Sequence, residues 1–175
     1  MKAMIICEQG LEECEALLVY DLLKRAVIET DLIGFENTII SSHGLSFNPT
    51  KQYNDINPDD YDCLILPGGM PGTKNLERNP KVSHLINDFH AKNKLICAIC
   101  AAPSILIKKG LLIDKQFTCY PGFELGFIST EEKVHIHENI ITSNGLGSAI
   151  EFGLTIIEKL IGKENADAVK NKIQY

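Results

Sequence analysis

The segment Leu95-Ile96-Cys97-Ala98-Ile99-Cys100-Ala101-Ala102-Pro103 holds the residues of this chain best placed to do chemistry. A continuous apolar run, of the kind that forms a buried strand, breaks at Cys100, with Ala98 and Ala102 two residues to either side. Small residues at those offsets let a strand turn sharply into a helix while a nucleophile projects from a strained backbone, as in the nucleophile elbow of hydrolases. Pro103 suits the first turn of the following helix, so Cys100 falls near exposed N–H groups and the positive end of the helix dipole. A thiolate is an anion, and this placement predicts a Cys100 ionised at neutral pH and reactive toward electrophiles and peroxide. A core cysteine at a helix start is the alternative reading. Cys97 and Cys100 also form a C-x-x-C, but along an extended strand their Cα atoms lie roughly 10 Å apart, beyond disulfide reach.

Other groups gain meaning from where they fall relative to that turn. Pro67-Gly68-Gly69 follows the apolar run Cys63-Leu64-Ile65-Leu66 and presents backbone N–H groups at the carboxyl edge of a sheet, where open α/β folds place their sites. These groups suit an oxyanion hole, although a turn that simply needs positive φ explains the glycines too. Glu12, Glu13 and Glu15 open a helix, and for the first two a favourable dipole interaction suffices. Glu15 differs only if the first strand lies near the Cys100 strand; its carboxyl group then orients the sulfur or shuttles a proton, and is protonated if dry. His135 and His137 share a strand face without a placed third ligand, so no metal is expected. Gly145-Leu146-Gly147 is too short for a dinucleotide fingerprint, no phosphate loop is present, and no cofactor is expected.

The elements that must hold these groups follow from hydrophobic period. Short apolar or β-branched runs alternate with helical stretches, the pattern of a mostly parallel sheet covered on both faces. Strands are expected at 3–7, 27–35, 38–42, 61–66, 94–99 and 116–120, with a pair at 133–137 and 139–143. Helices are expected from about residue 16 to 26, then over 80–92, 103–109, 147–160 and 165–172. Residues 43 to 60 are turn-rich.

The 175 residues suffice for one domain spanning 1–175, and 45% apolar with 23% charged residues is ordinary for a globular protein. A formal charge of −6 speaks against a nucleic-acid surface. The first residues lack a signal-peptide core and nothing resembles a membrane span, while six cysteines lie mostly in apolar runs. A cytoplasmic, reducing location is the expectation.

Four segments together resemble the ThiJ/PfpI superfamily, and within it the DJ-one branch, across nearly the whole chain. They are Gly10-Leu11-Glu12-Glu13-Cys14-Glu15, Tyr61-Asp62 through Leu66-Pro67-Gly68-Gly69, Ala98-Ile99-Cys100-Ala101-Ala102-Pro103, and Thr142-Ser143-Asn144-Gly145 through Glu151-Phe152. The resemblance implies a flavodoxin-like three-layer α/β/α sandwich, usually a homodimer, with a cysteine whose sulfur accepts a hydrogen bond from a protonated glutamate, here Cys100 and Glu15. It implies that the Gly69 and Ala101 N–H groups face a ligand oxygen. Many active relatives carry His where this chain has Tyr120, before Pro121, so Tyr120 is the candidate third group and a poor base at neutral pH. Ala101 follows Cys100 where peptidase-like branches carry His, which disfavours an amidotransferase or cysteine peptidase.

The resulting expectation is an oxidative and carbonyl-stress protein whose partners are small carbonyl compounds or oxidants. Cys100 oxidises to a sulfinate, with glutathione-independent glyoxalase or protein deglycase activity at the same site. A redox-sensing chaperone or binding module without turnover is the alternative.

Overall fold

The computed structural model describes residues 1–175. The chain runs β1 (Lys2–Cys7), α1 (Glu13–Arg25), β2 (Glu29–Gly34), β3 (Ile39–Ile40), β4 (Ser46–Phe47), β5 (Lys51–Gln52), β6 (Cys63–Leu66), α2 (Gly72–Arg78), α3 (Pro80–Ala91), β7 (Leu95–Ile99), α4 (Pro103–Lys108), β8 (Val134–His137), β9 (Ile140–Ser143), α5 (Ala149–Ile161) and α6 (Lys163–Lys172). Seven strands make one sheet in the order β5-β2-β1-β6-β7-β9-β8, parallel throughout except for the β8–β9 hairpin at one edge.

The period of two along the central strands sorts their side chains onto two faces. Ala3, Ile5 and Cys7 of β1, Cys63 and Ile65 of β6, and Cys97 and Ile99 of β7 pack with α1, α5 and α6. Met4 and Ile6, Leu64 and Leu66, and Ile96 and Ala98 pack with α2, α3 and α4. The result is a flavodoxin-like sandwich of helix, mostly parallel sheet and helix. The inner strands are apolar on both faces because both are covered. No helix is long and apolar enough to cross a membrane.

Two expectations about elements are corrected. Gln116–Tyr120 is not a strand: it belongs to no ladder, and its backbone is held at separate points, Thr118 N–H donating to Thr142 Oγ1 at 3.0 Å and Thr130 N–H to Phe117 O at 2.7 Å. Phe117 and Cys119 are buried because they plug the α4 side of the sheet. Helix α2, absent from the sequence reading, spans only seven residues after a Pro/Gly-rich approach, and Leu76 is its one buried large apolar residue, too little to register as a helical period.

Candidate active site

Parallel strands end together, so the carboxyl edge of the sheet collects the turns after β1, β6, β7 and β9. Between β1 and β7 stands only β6. The structure therefore satisfies the condition set for Glu15: α1, which follows β1, brings it to the turns after β6 and β7.

At the end of β7 the backbone of Cys100 has φ 63°, left-handed for a residue with a Cβ. Its N–H donates to Ser143 O at 2.8 Å, extending the β7–β9 pairing by one residue, and its carbonyl accepts from Tyr120 N–H at 2.8 Å. Strain of this kind persists where neighbours over-determine it, and here hydrogen bonds hold both sides of the residue. The alanines on either side, Ala98, Ala101 and Ala102, are buried, and Ala102 N–H returns to Ile99 O at 3.0 Å to close the turn.

Glu15 is 1% exposed. Its Oε2 accepts a hydrogen bond from Gly68 N–H at 2.8 Å, while Oε1 is buried without a nitrogen or oxygen partner. A Cβ on Gly68 would stand 2.6 Å from Cys100 Cβ and 2.7 Å from Glu15 Oε2, so only glycine lets the carboxyl and the cysteine meet there. Gly69, at φ 87°, is pinned in turn, because a Cβ on it would lie 2.3 Å from Glu12 N. The family resemblance singled out Gly69 for its N–H, which turns toward the sulfur; what the sequence did not reveal is that Gly68 clears the space.

Electrostatics corrects the expectation of a resting thiolate. Burial pushes the Cys100 thiol up to about 12, and the Glu15 carboxylate adds to the rise through its charge and by accepting the thiol's hydrogen bond. The N–H groups of Gly69 and Ala101 act in the opposite direction but are outweighed. The helix dipole is weak here because α4 has only six residues and begins three residues beyond Cys100. Burial likewise lifts Glu15 to about 7, against the hydrogen bonds from Gly68 and Cys100 that lower it. The two acids thus compete for one proton. When Glu15 holds it, the opposing charge vanishes and its O–H can donate to sulfur; when Glu15 is ionised, the thiol is kept neutral.

Other candidates are placed with less chemistry around them. Tyr120 stands beside Cys100 through its backbone, yet its ring is 51% exposed and packs edge-on to Phe123 at 6.3 Å. Cys97 points into the core, its Sγ 3.7 Å from Cys63 Sγ, and all six cysteines are free. His135 Nδ1 pairs with Glu132 at 2.5 Å, and the strand gathers no third ligand. Glu12, Glu13 and His43 come together instead, their ligand atoms within 4.8 Å of one another, and Ser42 Oγ donates to Glu12. His43 arrives on the loop between β3 and β4, a contact that local spacing does not reveal. The cluster accounts for Glu12 and Glu13 more fully than a dipole interaction does.

Comparison with known proteins decides the affiliation, since the model of the DJ-1/PfpI family matches residues 1–159. The chain belongs to the DJ-1/PfpI family. Among DJ-1 relatives, the Parkinson disease protein 7 homolog of Danio rerio is 33% identical over 178 residues, which cover 97% of this chain and 94% of the relative. The glutathione-independent glyoxalase DJ-1 of Schizosaccharomyces pombe is 31% identical over 184 residues, covering 97% and 96%. The structure of oxidized DJ-1 from Toxoplasma gondii superposes with a TM-score of 0.94 at 33% identity, covering 99% of this chain and 98% of that one. The flavodoxin-like sandwich is thus shared with the Toxoplasma gondii protein over 98% of its length.

Proposed function

We propose that this DJ-1/PfpI protein is an oxidative and carbonyl-stress protein in which Cys100 is the reacting group, Glu15 its proton partner, and the Gly69 and Ala101 N–H groups the seat of an oxyanion. What carries this reading is the convergence on one sulfur of two backbone N–H donors and a carboxyl group that burial raises to about 7. Such a seat suits a sulfinate. Each of two peroxide molecules delivers one oxygen to the sulfur and leaves as water, and the sulfinate oxygens then accept from the N–H groups and from protonated Glu15. The protein acts in a reducing, cytosolic compartment as a homodimer. Mass spectrometry after mild peroxide is expected to find two added oxygens on Cys100 alone; oxidation scattered over Cys7, Cys14, Cys63, Cys97 and Cys119 as well would sink the assignment.

A second reading, glyoxalase turnover at the same site, is favoured by the Glu15 value near neutrality and by the name of the fission-yeast relative. The thiol adds to the aldehyde of a 2-oxoaldehyde: the S–C bond forms, the carbonyl pair moves to oxygen, and that oxygen takes the thiol proton. Glu15 then moves a proton from the first carbon to the second while the first carbon's hydroxyl proton passes to the second oxygen, and water hydrolyses the resulting thioester to the 2-hydroxy acid and the free thiol, with no external oxidant or reductant. Tyr120 supplies no base for this route, so a slow reaction is expected. Lactate from methylglyoxal without glutathione, lost in Cys100→Ser, is the readout; equal lactate from both proteins refutes it.

A further inference from the structure

Beside the Cys100 turn lies a cavity of about 530 Å³, walled by residues 118–121, 129–131 and 144–147 together with Glu124. Two of these walls are tied to Cys100 itself: Tyr120 N–H donates to its carbonyl, and Ser143, which precedes Asn144, accepts from its N–H. The volume is that of a pocket for a substantial organic ligand, far more than methylglyoxal fills.

The walls specify what kind of ligand. Tyr120 offers a half-exposed aromatic ring. Ser129 and Asn144 supply a hydroxyl and an amide group, and Glu124 and Glu131 supply carboxylates. Asn144 Oδ1 already accepts from Ser148 Oγ at 2.7 Å, which leaves its two amide N–H groups as the donating side. No lysine, arginine or histidine lines the cavity, so an anionic ligand would meet two carboxylates without compensation.

We propose that this cavity receives the hydroxylated tail of a neutral, polyhydroxylated 2-oxoaldehyde whose aldehyde reacts at Cys100, and that it rejects phosphorylated or carboxylated analogues. The assignment rests on the carbonyl chemistry proposed for Cys100 above. The covalent step is unchanged, because the sulfur adds to the aldehyde and the tail remains intact. Tail hydroxyls accept from Asn144 and donate to the carboxylates, with the tail's C–H face against the Tyr120 ring.

The test compares methylglyoxal, deoxyglucosone and the terminal phosphate ester of deoxyglucosone as substrates of the full-length protein. A kcat/KM for deoxyglucosone about tenfold or more above that of its ester is expected, and Asn144→Ala should reduce the deoxyglucosone-to-methylglyoxal preference by about three- to tenfold, the worth of a hydrogen bond. Equal use of the ester, or an unchanged preference in Asn144→Ala, overturns the cavity assignment while leaving Cys100 chemistry intact. If methylglyoxal is not turned over at all, the carbonyl reading of Cys100 fails on its own. The cavity is then judged by ligand-observed NMR on Cys100→Ser protein, where binding of deoxyglucosone but not of its ester supports it, and equal or absent binding refutes it.

Discussion

At the level of single residues, the unusual feature is a buried carboxyl group and a half-buried thiol that compete for one proton. The ordinary carboxylate value of 4.5 moves to about 7 for Glu15, so the folded protein holds that proton over a range where the unfolded chain has released it. Between those values the native state binds more protons, and stability therefore falls as pH rises from about 4.5 through about 7. The full span corresponds to about 3 kcal/mol. Glu15→Gln is expected to flatten the pH dependence of urea unfolding in that window. The same substitution removes the carboxylate that opposes the thiolate, so the Cys100 titration midpoint should move down; a midpoint that stays or rises would refute the shared-proton account. Cys100 itself was legible, because small flanking residues at an apolar break are a local pattern. Its charge state was not, because that depends on desolvation and on a carboxyl group 85 positions away in sequence.

At the level of elements, the site is a meeting of strand ends, and its tightest point is Gly68. The strands and the larger helices were readable from period, since buried central strands and amphipathic helices leave different apolar spacings. What period does not carry is register and approach: β1 lies beside β6, and the loop between β3 and β4 brings His43 to Glu12 and Glu13. Gln116–Tyr120 reads as a strand because Phe117, Thr118 and Cys119 are buried, yet burial in a plugging loop leaves the same composition as burial in a ladder. Gly68→Ala tests the approach directly. A methyl group there meets Cys100 Cβ, Glu15 Oε2 and Ile99 O, all within 2.8 Å, and at least one must move. The expected cost is about 1–3 kcal/mol of stability, as for other overpacked sites, together with weaker peroxide selectivity for Cys100. Unchanged stability and selectivity would mean that the turn accommodates a side chain and that the close approach is incidental.

Across the whole molecule, the sheet separates two cores, and only one of them carries Glu15. Helix α1 packs on α5 so closely that a Cβ on Gly153 would lie 2.6 Å from Leu22 Cδ1, and Phe152 is fully buried in that layer. Phe89, on α3, is fully buried in the opposite layer. Truncating either aromatic leaves a cavity and is expected to cost about 3–5 kcal/mol on substitution by alanine, and less by leucine. The consequences for the sulfur should differ. Phe152→Leu loosens the support beneath α1, which shifts Glu15 relative to Gly68 and alters the Cys100 titration. Phe89→Leu weakens the far layer and should leave that titration in place at matched loss of stability. Urea unfolding and thiol titration on both variants separate the two effects, since side chains on opposite faces share no partners and should act independently. Equal displacement of the Cys100 midpoint by both would show that the proton pair senses global stability rather than the seating of α1, and the division of labour between the layers would be wrong.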